Sequence, residues 1–196
     1  FGLGLFDEPI RNFIKEADRK VHTKEDEALS VDVNRRSVVL LKNEKQTLPL
    51  DTGKLKNILI TGPLADAVNY TTSRYGPSNN PVTTIRKGIE DYASLHHINT
   101  SYTKGVDVID EGWPETEIIP VEPTEKEKSE ISKTISMAEK SDVIIAVMGE
   151  SEKEVGESRS RSSLNLPGKQ TYFLQQLYKT GKPIVLVLVN GRPLTI

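Results

Sequence analysis

Two runs, "DVIIAVMG" (142–149) and "KPIVLVLVNG" (182–191), constrain the fold more than anything else in this chain. Each is apolar at almost every position, whereas a strand with one wet face alternates; a continuous run needs cover on both faces. Between them Phe173, Leu174, Leu177 and Tyr178 stripe a helix that ends near Gly181. Strand, helix and strand in that order make a parallel pair joined by a crossover.

Upstream the alternation repeats. "KNILITG" (56–62) is a short β-rich run ending at Gly62-Pro63, and "PVTTIRKGIEDYA" (81–93) sets Val82, Ile85, Ile89 and Tyr92 on one helical stripe. "HHINTSYTKG" (96–105) reads as a second strand. Thr124 with Glu127 forms a capping box after Pro123, opening a helix that turns Ile131, Ile135 and Ala138 to one side. The segment "VDVIDEGWPETEIIPVEP" (106–123) mixes turn formers with apolar residues and takes no clear element. A charged stretch over 11–34 favours a helix from Thr23 or Lys24, leading into Val38, Val39, Leu40 and Leu41 as a short buried run. The expected fold class is α/β: a mostly parallel sheet with helices on both faces, an α/β sandwich with flavodoxin-like layers.

A length of 196 residues suits one sizeable domain, and the net charge of -2, from 26 Lys+Arg and 28 Asp+Glu, argues against nucleic acid or an anionic membrane as partner. The absence of cysteine excludes disulfides, thiolate nucleophiles and Cys-ligated metal. No apolar run approaches the roughly 18 to 20 residues that span a bilayer. The chain opens at Phe1 and closes on an apolar strand, so both ends read as cuts in a longer protein. The three histidines offer no metal site; His96 and His97, adjacent on a strand, would point to opposite sides. Neither metal nor cofactor is expected.

Ligands of an open parallel sheet lie beyond the carboxyl ends of the strands. Three such ends are legible: Gly62-Pro63, Gly149-Glu150 and Asn190-Gly191. Only one presents a carboxylate at once, Glu150, and a polar loop of four glutamates, two arginines and five serines runs from it to Pro167. That loop is too long for a simple connection and reads as a wall of a site. For Glu152, Glu154, Glu157, Arg159 and Arg161 the competing reading is a solvated, self-neutralising surface. Tyr75 and Trp113 sit in loops where an aromatic could stack on a sugar ring, with ordinary packing as the plainer account. No G-x-G-x-x-G, G-x-x-x-x-G-K-[ST] or G-x-S-x-G occurs.

Five separated segments, "RRSVVLLKNEKQTLPL" (35–50), "ILITGPLAD" (58–66), "SYTKGVDV" (101–108), "GESRSRSSLNLPGKQ" (156–170) and "GKPIVLVLVNGRPLTI" (181–196), together resemble the second domain of glycoside hydrolase family 3. "GLGLFDEP" (2–9) is similar to the end of that family's first domain. The resemblance implies a retaining, exo-acting β-glycosidase, of β-glucosidase or β-xylosidase type, acting on terminal β-linked sugars of oligosaccharides or glycosides. A (β/α)8-type domain upstream would hold the aspartate nucleophile, and the α/β sandwich would lend the acid/base. Carried onto this sequence, the acid/base falls on Glu150, with Glu157 in reserve. Arg161 becomes a structural anchor of the loop, and Tyr75 falls where relatives place an aromatic beside the leaving-group sugar.

By the same resemblance, residues 1–22 are the end of the preceding domain and a linker, and 23–196 are the sandwich domain, incomplete at its C-terminal end. A lone fragment would then be inactive and prone to self-association. The enzyme would be periplasmic or secreted. Two readings from other classes stay open: a non-catalytic carbohydrate-binding or interaction module of the same fold, and a nucleotide-binding or receiver-like α/β domain, for which neither a phosphate loop nor an acidic cluster at the first strand end is visible.

Overall fold

The computed structural model describes residues 23–69, 75–76 and 82–196. The chain divides into one unit ending at Gln46 and a second running from Thr47 to Ile196.

In the first unit, helix α1 spans Lys24–Ser37. None of its residues is buried, so it relies on local signals. Thr23 and Asp26 form a capping box, acids fill the first turn, Arg35 and Arg36 the last, and Asp32 pairs with Arg36 one turn on. The helix starts where the charge pattern places it. Val38, Val39, Leu40 and Leu41 are exposed and form no strand, contrary to the expected buried run. Their apolar character finds no sheet partner among the described residues of this unit.

The second unit is the α/β layer. Its strands are β1 (Asn57–Thr61), β2 (Asn99–Thr103), β3 (Val143–Gly149) and β4 (Ile184–Val189), all parallel, in the order β2-β1-β3-β4. Helix α2 (Ile85–Leu95) joins β1 to β2, α3 (Glu125–Ala138) joins β2 to β3, and α4 (Gln170–Lys179) joins β3 to β4. Two cores lie against the sheet, one per face. Leu59, Ile144, Ala146 and Met148 pack with Ile131, Ala138, Phe173 and Leu177 of α3 and α4. Ile58, Ile60, Val143, Ile145 and Val147 pack with Ile85, Ile89 and Ala93 of α2. The strand period of two sends alternate residues to opposite faces, and each face is apolar because each has a helix to cover it.

All seven residues of β3 are buried, at about 1.5–3 kcal/mol for each large aliphatic side chain, whereas the six of β4, at the end of the strand order, are half-buried. The capping box at Thr124 is present, with Thr124 N–H donating to Glu127 and Glu127 N–H to Thr124 Oγ1. On α2 the stripe is narrower than the sequence predicts: Val82 precedes the helix, Tyr92 is exposed, and Ala93 is the buried member. His96 and His97 belong not to the second strand but to the turn before it, where both are exposed and His97 has φ +57°.

The strand order fixes where a ligand would bind. From β1 the chain steps outward to β2, then crosses back to lay β3 on the other side of β1 and continues to β4. The direction of winding therefore reverses between β1 and β3. Loops leaving the carboxyl ends of those two strands diverge there and open a crevice.

Candidate active site

The crevice is floored by two glycine-ended strands. Gly62 has φ +106°, and a Cβ on it would lie 2.1 Å from the Val147 carbonyl oxygen; Gly149 has φ +136°, and a Cβ would lie 1.9 Å from the Val189 carbonyl oxygen. Only glycine lets the chain turn so close to its neighbour. Beside Gly62, Asp66 accepts hydrogen bonds from Thr84 Oγ1 (2.9 Å) and Arg86 (3.0 Å), tying the start of α2 to the end of β1.

Gln170, the first residue of α4, is fully buried and locks the end of β3. Its Oε1 accepts from Gly149 N–H (2.8 Å), and its Nε2 donates to the carbonyls of Gly149 (2.8 Å) and Val108 (2.9 Å). Lys169 beside it pairs with Asp110 at 3.1 Å, both side chains nearly enclosed, and donates to the Val121 carbonyl at 2.6 Å. The segment 106–123, unplaced from sequence, is thereby fastened to the mouth of the crevice.

Glu150 does not stand at the crevice edge as expected. Its side chain is 0% exposed, and Oε1 takes Arg161 Nη1 at 2.9 Å and Arg192 Nε at 3.1 Å. Its amide donates to the Val189 carbonyl, so the backbone continues the β3–β4 ladder by one more bond and turns the carboxyl inward. Arg161, 1% exposed, also donates through Nε to Glu117 at 2.6 Å and through Nη2 to the Asn165 carbonyl at 2.8 Å. Glu117 additionally accepts from the amide and hydroxyl of Ser162 (3.1 and 2.7 Å).

Two glutamates and two arginines thus form a chain, Glu117–Arg161–Glu150–Arg192, of formal charge zero. Burial raises the Glu117 pKa, but the Ser162 and Arg161 hydrogen bonds together outweigh it and leave the carboxyl below its ordinary range. A buried pair adds little net stability over apolar packing, yet stripping one partner costs about 3–5 kcal/mol, so such a cluster specifies one arrangement of the segments it joins.

The rest of the loop divides sharply. Glu154 is buried, its Oε2 accepting from the amide and hydroxyl of Ser151 (2.8 and 2.6 Å). With Arg161 it departs from the solvated-surface reading, because both are consumed in holding the loop's frame. Glu157 and Arg159 are exposed, and Glu152 is half-buried. Glu157 lies within a tight turn closed by Arg159 N–H to the Gly156 carbonyl (3.2 Å), with Gly156 at φ +105° and Ser158 at φ +61°. Its amide approaches the Tyr75 hydroxyl at 3.4 Å, and Tyr75 is 71% exposed. The structure therefore brings Glu157 and Tyr75 together at the surface and Glu150 and Arg161 together beneath it. Trp113 is half-buried, with its indole Nε1 enclosed, as a packed residue rather than a sugar platform. Among the described residues no cluster of His, Asp and Glu could hold a metal ion.

Sequence reasoning missed Glu117, Gln170 and Arg192. Gln170 lay within a quoted motif without a role, Arg192 follows a legible strand end, and Glu117 carried no signal at all.

Residues 38–196 match the glycosyl hydrolase family 3 C-terminal domain. Over its full length the chain is 34% identical to the periplasmic beta-glucosidase of Salmonella typhimurium and 31% identical to a beta-xylosidase of Formosa agariphila, covering 27% and 26% of those proteins. The solved structure of a beta-glucosidase from Erythrobacter marinus superposes with a TM-score of 0.80 at 27% identity, over 97% of this chain and 27% of that one. The chain spans about a quarter of the length of these relatives. The match over four-fifths of the sequence, on the fold that the sheet order describes, places the chain in the glycosyl hydrolase family 3 C-terminal domain family.

Proposed function

We propose that the natural polypeptide carrying this chain is a retaining, exo-acting β-glycosidase of β-glucosidase or β-xylosidase type, and that this domain presents its acid/base, Glu157. The observation that carries the assignment is the split in the loop after β3. Glu150 is enclosed, with no exposed side-chain surface and with two guanidinium groups at Oε1, whereas an acid/base must reach a substrate oxygen. Glu157 is exposed on a tight turn beside Tyr75, seven residues further along.

In this reading Glu157 gives its proton to the glycosidic oxygen as the C–O bond breaks, while a carboxylate from another domain bonds to the anomeric carbon. Glu157 then takes a proton from the water that cleaves the resulting ester. Tyr75 offers a flat apolar face beside it for the leaving-group sugar. Arg161 anchors the loop. Residues 1–22, which lie outside the described residues, are in this reading the end of the preceding, nucleophile-bearing domain and a linker. A site outside the cytoplasm is supported by the periplasmic relative.

The test compares Glu157→Gln with Glu150→Gln in the natural polypeptide. For Glu157→Gln, kcat/KM on an alkyl glycoside should fall about 10²- to 10⁴-fold. On a dinitrophenyl glycoside, whose leaving group needs no proton, it should hardly change, and azide should restore turnover. If Glu150→Gln shows that signature and Glu157→Gln does not, the acid/base is Glu150.

A further inference from the structure

Arg192 follows the end of β4, and its guanidinium reaches three parts of the loop that carries Glu157. Nε contacts Glu150 Oε1 at 3.1 Å, while Nη2 donates to the carbonyls of Glu154 (2.9 Å) and Arg159 (3.0 Å). Those two carbonyls bracket the excursion 155–158, so a single nitrogen gathers both ends of the turn that bears Glu157. The backbone at the same strand end supports this seat: a Cβ on Gly191 would lie 3.2 Å from Val155 Cγ1 and 3.3 Å from Val155 Cβ, so β4's exit packs directly on the first residue of the excursion. Glu154 itself is held from below by Ser151. Charge alone does not explain the arrangement, since Arg161 already pairs with Glu150 at 2.9 Å.

We propose that Arg192 is a positioning residue for the glycosidase reaction: by clasping the carbonyls of Glu154 and Arg159 against Glu150, it fixes where Glu157 meets the leaving-group oxygen. The proposal rests on the acid/base reading of Glu157. Arginine suits the place because Nη2 holds both carbonyls while Nε lies 3.1 Å from Glu150 Oε1 as an ion pair without hydrogen-bond geometry; a lysine has one nitrogen and cannot occupy both places. Arg192 touches no reacting atom. Its loss should therefore slow only the step that needs a proton delivered in the right place.

Arg192→Lys in the natural polypeptide keeps the charge and removes the fork. We expect kcat/KM on an alkyl glycoside to fall about 10- to 100-fold, the scale on which small misplacements act, with a change under about threefold on the dinitrophenyl glycoside. Gly191→Ala is the second variant; it keeps Arg192 but crowds Val155 and shifts the seat by a few tenths of an ångström. It should show the same substrate-selective loss in weaker form, and it keeps the test decisive if Arg192→Lys does not fold. Equal losses on both substrates, or no loss, in the folded variants would overturn the proposal while leaving Glu157 as acid/base. Glu157→Gln run alongside separates the two failures: if it lacks leaving-group dependence, the acid/base reading falls and the proposal with it.

Discussion

Replacing Gln170 by Met should release the end of β3 from α4. The side chain is fully enclosed and makes three hydrogen bonds of 2.8, 2.8 and 2.9 Å, all to backbone groups. Methionine nearly matches glutamine in volume, so little cavity forms, and the cost is that of one N–H and two carbonyls left unmet. At about 1–2 kcal/mol for each orphaned buried group, the loss is roughly 3–6 kcal/mol. Part of it should appear locally, because the Gly149 amide loses its side-chain acceptor and Glu150 follows directly. A local share of about 3–4 kcal/mol accelerates exchange of the Gly149 amide by roughly 10²- to 10³-fold, at about 1.4 kcal/mol per decade. Native-state hydrogen exchange on the natural polypeptide measures it, with Leu59 and Ile144 in the sheet interior as controls that report global opening. A change below about tenfold at Gly149, with the midpoint of denaturant unfolding also unmoved, would refute the reasoning: the orphaned groups would then have found other partners at little cost.

Two further predictions concern the strand ends and pH. Gly149→Ala should cost roughly 2–6 kcal/mol, a strained φ plus a clash with the Val189 carbonyl, whereas Gly181→Ala, at φ +71° with nothing within 4 Å, should cost only about 1 kcal/mol. Equal denaturant midpoints for the two variants would show that the clash is relieved by movement of β4. The Glu117 carboxyl is depressed below its ordinary 4.5 by hydrogen bonds from Ser162 and Arg161, against the opposing push of burial. Its contribution is thus complete above about pH 4.5 and is lost as pH falls through the lower folded value. Hydrogen exchange across 150–163 should rise in that acid window, and Glu117→Gln should flatten the rise; an unchanged profile in the variant would assign the acid response elsewhere.

Much of the architecture was legible because its causes are local. Thr124 and Glu127 announce a helix start through bonds three residues apart, and the double-sided apolar runs of β1, β3 and β4 require cover on both faces. Where apolar character had no periodic context the reading failed, as at Val38 to Leu41, which are exposed in the unit that ends at Gln46. The polar loop was recognised as a site wall, but the inner and outer members of its charge set could not be told apart. Glutamate, serine and arginine have the same composition whether they face solvent or one another.

By itself, then, the sequence determined the α/β class, the glycine-ended strands and the polar loop after β3, since each is set by side-chain periodicity or by neighbours a few residues away. Tertiary structure decided which carboxylate is buried and which is presented. The groups that enclose Glu150 come from Arg161, 11 residues on, and from Arg192 at the far side of α4, and Arg161 is held in turn by Glu117 at a separation of 44 residues. A carboxylate's role depends on what stands within about 3 Å of it, where charge-assisted hydrogen bonds form, and the winding of β1, β3 and β4 sets that distance.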